Sequence, residues 1–208
     1  MSLSEFVFTR EPWNKGKLIG QKLPLKPEEV WSIRVRLDMA HKVLRDLALF
    51  NLAIDSKLRG CDLVKLMVSD IARGTEIVSR AKIVQQKTKR PVSFEITAKT
   101  RDALAAWIKL KNLCSLDYLF PSSYRRKDHI NTRHYGRLVK KWVCSIGLDS
   151  TAYGTHSMRR TKVALIYRQT KNLRAVQILL GHRSLESTVR YLGVEIDDAL
   201  ELSEHIEI

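Results

Sequence analysis

Between residues 76 and 96 the chain leaves the helical rhythm it keeps almost everywhere else, and that interruption limits the folds open to it. Segments 76–79, 82–85 and 92–96 are short and rich in Val and Ile. Lys87-Thr88-Lys89-Arg90-Pro91, between the last two, reads as a hairpin tip. Upstream, Pro27 followed by Glu28 and Glu29 suits the first turn of a helix. Val30, Ile33, Val35, Leu37, Ala40, Leu44, Leu47, Ala48, Phe50 and Leu52 carry a helical period from there to about residue 53. A second helix is expected over about 56–65, with Leu58, Cys61 and Leu63 apolar. Downstream, helical patterns return at about 98–111, 131–146, 155–169, 173–180 and 184–191, and Gly147 and Gly181 look like helix stops. Helices, a small three-stranded antiparallel sheet and further helices make a mostly helical α+β domain. Trp31, Trp107 and Trp142 fall in helical periods and are expected in the core, whereas Trp13 lies outside any period.

With 44% hydrophobic and 28% charged residues among 208, the chain can bury a core and is not globally disordered. Lys and Arg number 37 against 22 Asp and Glu, a formal charge of +15. That excess calls for a polyanionic partner, nucleic acid ahead of an anionic membrane surface. No apolar run approaches the roughly 18 residues of a membrane span. The start carries Glu5 and lacks the apolar stretch of a secretory signal. The charge is uneven. Residues 195–208 hold six acids and no Lys or Arg, so the remaining body carries 37 basic against 16 acidic residues, or +21. Ile196, Ala199, Leu200, Leu202, Ile206 and Ile208 lie among those acids, giving an acidic amphipathic tail suited to docking on protein or to a frayed terminus. Residues 1–24, interrupted by Pro12, Gly16, Gly20 and Pro24, read as a basic arm with Lys15, Lys17 and Lys22 available to phosphates. Cys61, Cys114 and Cys144 are odd in number, widely spaced and without CxxC. They fit thiols packed as small hydrophobes in a reducing compartment, not a disulfide framework or a zinc site.

The densest chemistry is Thr155-His156-Ser157-Met158-Arg159-Arg160-Thr161-Lys162. His156 and Arg159, three apart on a helix, share a face, and an imidazole beside a guanidinium near a helix start suits a phosphate. The plainer reading is a solvated basic face. Other pieces stand elsewhere in the chain: Arg59 at a helix start among apolar neighbours, Lys87 at the hairpin tip, Leu180-Gly181-His182-Arg183, and Tyr191 nine residues after that histidine.

The ordered set Arg59, Lys87, His156-x-x-Arg159, Leu180-Gly181-His182 and Tyr191 resembles the tyrosine recombinases of the phage-integrase family, over about residues 25–195. The resemblance implies the catalytic-domain fold of that family over 25–194, and site-specific cleavage and rejoining of DNA through a 3′-phosphotyrosine. It implies Tyr191 as nucleophile, Arg59 and Arg159 on the non-bridging oxygens, and His156 assisting proton transfer at the tyrosine oxygen. Lys87 would protonate the departing 5′ oxygen, and His182 would donate a hydrogen bond to the phosphate. No metal, other cofactor or ATP is implied. Arg160, Lys162, Arg183, Lys89 and Arg90 are expected on the phosphate backbone of double-stranded DNA. Lys82 and Lys89 compete with Lys87, and Tyr153 and Tyr167 with Tyr191.

The carboxylate three residues after the first arginine is Asp62 where the family usually has Glu. Only about 25 residues precede the expected catalytic domain, so the chain resembles single-domain members that invert short segments, or a catalytic fragment. The family further implies four protomers on synapsed DNA, with the tail coupling neighbours, in the cytoplasm of a prokaryote at the nucleoid and away from membrane. A DNA-binding regulator without catalysis and a type IB topoisomerase-like relaxase remain alternatives, as does a plain basic nucleic-acid-binding module.

Overall fold

The computed structural model describes residues 21–39, 44–123, 128–192 and 204. Helix α1 (Pro27–Met39) starts where proline's missing N–H costs nothing, with Glu28 and Glu29 in its first turn. The Glu29 carboxylate reaches back to accept the Lys26 N–H at 2.8 Å. Helix α2 (Leu44–Ser56) is the axis of the domain, and ten of its thirteen residues are buried. The expected period to residue 53 is thus carried by two helices, and α2 runs on into the start of the expected 56–65 helix. That helix shrinks to the single turn α3 (Gly60–Leu63), followed by a second, α4 (Val68–Ile71). Left-handed backbone at Lys57, φ 57°, ends α2 and separates it from α3.

The sheet differs from expectation. Strands β1 (Ala72–Arg73) and β2 (Glu76–Ile77) pair with each other, and β3 (Arg80–Val84) pairs with β4 (Pro91–Glu95), both antiparallel. The described residues therefore carry two two-stranded ladders in place of one three-stranded sheet. Gly74, at φ 61°, lets segment 76–79 fold straight back on 71–73, so its ladder groups are taken before β3 begins. In the second ladder Ala81, Val92 and Phe94 are buried while Arg80, Lys82 and Ser93 face out.

Three long helices follow, α5 (Ala98–Lys111), α6 (Thr132–Ser145) and α7 (Thr155–Thr170), and then two short ones, α8 (Leu173–Leu180) and α9 (Leu185–Leu192). The Asn131 side chain caps α6 through the His134 N–H, and Asn172 caps α8 through that of Ala175. Tyr135, Leu138, Val139, Trp142 and Val143 form the buried stripe of α6. Trp142 sits edge-on to Phe50 of α2, ring centroids 5.5 Å apart. Trp107 is buried too, but Trp31 is 65% exposed and is not the core residue its period suggested. Cys114 and Cys144 are exposed and Cys61 half-buried, so the thiols do little of the packing expected of them.

The main core gathers α1, α2, α5, α6 and the hairpin; a second, smaller cluster of Val163, Val176 and Leu180 joins α7 to α8, with Tyr191 packed against it. Gly181 ends α8 in the left-handed conformation, φ 64°. A side chain there would strike Val92 at 2.5 Å, so only glycine lets the end of α8 lie on β4. No helix among the described residues is long and apolar enough to cross a membrane. Arm residues 1–20, and all of tail 195–208 except Glu204, lie outside the described residues.

Candidate active site

The carbonyl oxygen of Leu180 is the hub of the site. It accepts Arg159 Nη2 at 2.7 Å and Gln85 Nε2 at 3.3 Å, so α7, the hairpin and the end of α8 meet at one atom. Arg159 lies one turn into α7 after His156 and is only 2% exposed. Arg59 precedes α3, where its carbonyl accepts the Asp62 and Leu63 N–H groups at 2.9 Å and starts the turn. Its Nη1 donates to Gln85 Oε1. Asp62 is buried, and its Oδ1 accepts the Gln86 N–H at 2.9 Å, tying α3 to the hairpin. Lys87 stands exposed at the tip, within electrostatic reach of His156, as are Arg59, Arg159 and Arg160.

Tyr191 closes the site from α9. Its ring meets the His182 ring edge-on at 5.2 Å and lies beneath the guanidiniums of Arg159 (5.9 Å) and Arg160 (5.1 Å). The His182 ring is held through Nδ1 by Thr188 Oγ1 at 3.2 Å, which leaves Nε2 for another partner. Among the described residues three buried side-chain polar atoms lack a partner in good hydrogen-bond geometry: Asp62 Oδ2, Arg159 Nη1 and the Tyr191 hydroxyl, the arginine and the phenol facing each other closely enough to interact. All three belong to this site. Each unpaired buried group costs about 1–3 kcal/mol, so folding alone gives no reason to collect them here.

The charges are shaped by burial and by one another. Burial raises the Tyr191 phenol above its usual pKa, and Arg159, Arg160 and Arg59 counter it. His156 is lowered by burial and then by Arg159, Arg160, Arg59 and Lys87, which leaves a neutral imidazole able to take a proton at pH 7. His182 is pushed down to about 4 by burial and then by Arg159 and Arg59. An unfolded chain protonates that ring near 6.5, so between pH 6.5 and 4 it binds more protons than the fold does, and stability drops as pH falls through that window. Thermal unfolding at pH 5 is expected to show a loss against pH 7 of which about 1 kcal/mol, allowing for solvent screening, disappears in His182→Gln. An unchanged pH dependence in that variant would remove His182 as the cause.

A model described as the phage integrase family matches residues 25–196. The chain belongs to that family. It is 28% identical over 163 residues to the probable integrase/recombinase YoeC of Bacillus subtilis, covering 78% of this chain and 85% of the relative. It is 30% identical over 178 residues to a tyrosine recombinase of Pseudothermotoga lettingae, covering 85% of this chain and 58% of that protein. The fold is similar to the crystal structure of XerA recombinase, TM-score 0.72 at 19% identity over 91% of this chain and 67% of the other. It is likewise similar to XerH bound to difH substrate, TM-score 0.70 at 21% identity over 90% and 56%.

As a phage-integrase family member, the chain departs from its sequence-level expectations at two basic residues. Arg160, expected on DNA, is buried: its Nη1 donates to the Lys22 carbonyl at 2.6 Å, and its Nη2 meets Gln21 Oε1 and the Tyr191 carbonyl, which ties segment 21–22 to the end of α9. Lys162 is committed to Asp55 (2.8 Å) and Glu95 (2.7 Å), because a buried carboxylate competes for an ammonium more strongly than solvent does. Arg183, Lys89 and Arg90 are exposed. Of the rival tyrosines, Tyr153 lies in the main core and Tyr167 packs against the second cluster. Sequence reasoning passed over Gln85, although the alternation of β3 carries inward from Ala81 through Ile83 to that position.

Proposed function

We propose that the protein is a site-specific DNA recombinase that cleaves and rejoins strands through a 3′-phosphotyrosine. The observation that carries this reading is the buried Tyr191 phenol set against the His182 ring and the Arg159 and Arg160 guanidiniums, within electrostatic reach of Arg59, with His156 beside the same arginines. The Tyr191 oxygen forms a bond to phosphorus as the bond to the 5′ oxygen breaks. The phenolic proton passes to neutral His156, and Lys87 supplies a proton to the leaving oxygen. Arg59 and Arg159 neutralise the charge gathering on the non-bridging oxygens, and His182 Nε2 adds a hydrogen bond. The phosphotyrosine keeps the energy of the broken linkage, so attack by a 5′-hydroxyl reseals the strand without ATP, and the cations take the part that metal ions play in two-metal nucleases.

Double-stranded DNA is the partner, held along its backbone by Arg183, Lys89, Arg90 and the basic arm 1–24. The recombinase works in the cytoplasm, at the nucleoid of a prokaryote, on the catalytic unit 25–194. Four protomers hold two sites together, and the acidic tail 195–208 docks on a neighbour. Ending the chain after residue 194 is expected to abolish synapsis of two sites in a gel shift while a single nicked site is still cleaved; unimpaired synapsis would refute the role of the tail. For the main reading, protein is incubated with nicked duplexes and with supercoiled plasmid carrying candidate sites. An SDS-resistant adduct supports phosphotyrosine chemistry, and recombinant circles separate recombination from simple relaxation. Absence of any adduct overturns the reading.

A further inference from the structure

We infer that Gln85 is a positioning residue that aims Arg59 at the scissile phosphate. The inference rests on the phosphodiester-cleaving reading of the site. Gln85 is fully buried, at 0% exposure, immediately after β3. Its amide is bonded to groups from three separate parts of the chain. Oε1 accepts Arg59 Nη1 from the loop before α3 and Thr88 Oγ1 (2.9 Å) from the hairpin tip. Nε2 donates to the Leu180 carbonyl, the atom that also holds Arg159. The Gln85 backbone closes the loop that carries Lys87: its N–H donates to the Arg90 carbonyl and its carbonyl accepts the Lys89 N–H, both at 2.9 Å.

The chemistry requires such an anchor. Arg59 is only half-buried, and an arginine side chain keeps about 2 kcal/mol of rotamer freedom unless something fixes it. A neutral amide oxygen holds one nitrogen without cancelling the positive charge, as a carboxylate would, and leaves the other donors for an anion. Gly181 lies directly beside the amide: a methyl group there would be in ordinary contact with both amide heteroatoms, at 3.4–3.5 Å, while striking Val92 at 2.5 Å. A glutamine buried at the foot of a basic hairpin, bonded to an arginine and to a backbone hub, thus sets the direction of one guanidinium relative to the other.

The test is a double-mutant cycle on the full chain between Gln85→Leu and Arg59→Ala. The readout is single-turnover cleavage at saturating protein of a nicked duplex whose bridging 5′ oxygen is replaced by sulfur. There the Tyr191 oxygen–phosphorus bond forms, the phosphorus–sulfur bond breaks and the thiolate leaves with the electron pair. Departure needs no proton from Lys87, so slow variants remain measurable. A misplacement of the order of 1 Å costs about 10²-fold in rate. Gln85→Leu is therefore expected to slow cleavage about 10²-fold in the parent and by no more than about 3-fold once Arg59 is absent. Equal losses in both backgrounds mark a merely structural role and overturn the inference, as does no loss in the parent. If Gln85→Leu does not fold, Gln85→Met, of equal length, carries the same cycle. A parent protein that forms no adduct overturns the cleavage reading itself, a different outcome from adducts that form equally well in both Gln85 forms.

Discussion

Tyr191→Phe is expected to reduce the covalent protein–DNA adduct to background and at the same time to make the protein more stable. The variant loses one atom, the phenolic oxygen, which is buried, meets no partner in good hydrogen-bond geometry and interacts only with the Arg159 guanidinium facing it. Without it no phenolic oxygen remains on α9 to attack phosphorus, and the rival phenols are engaged elsewhere, Tyr153 in the main core and Tyr167 packed against the second cluster. The ring stays, so its contacts with His182, Arg159 and Arg160 stay. Relief of a poorly paired buried hydroxyl, less its interaction with Arg159, returns at most about 1 kcal/mol, which for a chain of this size raises the melting temperature by up to roughly 2–4 °C. DNA affinity should hold, since the basic surface is untouched. Gel electrophoresis in SDS, a thermal melt and a gel shift on one preparation decide the matter. An adduct that survives the substitution refutes Tyr191 as nucleophile. A melt several degrees lower shows that the hydroxyl is paired in solution. Activity and stability moving in opposite directions is the signature of a group retained for its chemistry.

The same contrast explains what could be read from residues alone. Helices α5 and α8 were legible because local chemistry sets them: buried positions Ala103, Leu104 and Trp107 at helical spacing, and an apolar run closed by a glycine stop around residues 173–180. His156 and Arg159 were legible as a pair because three residues on a helix mean one face. Long-range choices were not legible. Gly74 permits a turn before Glu76, but a glycine alone does not say that Glu76 pairs back with Arg73 rather than forward with β3. The period of α1 marks Trp31 as apolar, but the packing partners of that helix leave its side uncovered. Lys162 sits in the most basic string of the chain, yet its partners come from Asp55 and Glu95, more than sixty residues away. Gln85 was invisible for a similar reason: an uncharged residue among cations draws notice only once its amide is seen to join Arg59 to Leu180.

The ion-pair network behind the site should carry the largest stability effect. Asp55, 2% exposed at the end of α2, accepts the Thr97 N–H (2.9 Å), Thr97 Oγ1 (2.8 Å) and Thr100 Oγ1 (2.6 Å) on one oxygen and Lys162 Nζ (2.8 Å) on the other. Lys162 and the buried Lys57 both reach Glu95, and Lys57 also donates to the Asp55 carbonyl at 2.6 Å. The end of α2, β4, the start of α5 and the middle of α7 are thereby joined through two carboxylates and two ammonium groups. Burial pushes the Asp55 carboxyl up, but Lys162, Thr100 and the Thr97 backbone outweigh it, and its pKa ends below the ordinary value of 3.8. A depressed carboxylate stabilises the fold above that value, and the contribution is lost as pH falls through and below it. Asp55→Ala strips the pair of one partner, strands Lys162 and unties the start of α5, at a cost of about 3–5 kcal/mol. The melting temperature should drop by roughly 10 °C. Asp55→Asn, which keeps acceptors for the threonines but not the charge, should lose less and should show a weaker fall in stability below pH 4. Because Lys162 follows Arg159 by one turn of α7, cleavage by Asp55→Ala at a temperature where it is folded should also slow, with DNA affinity retained. A full melt within 1 °C of the parent would mean that the network is paired in the structure but contributes nothing net to the fold.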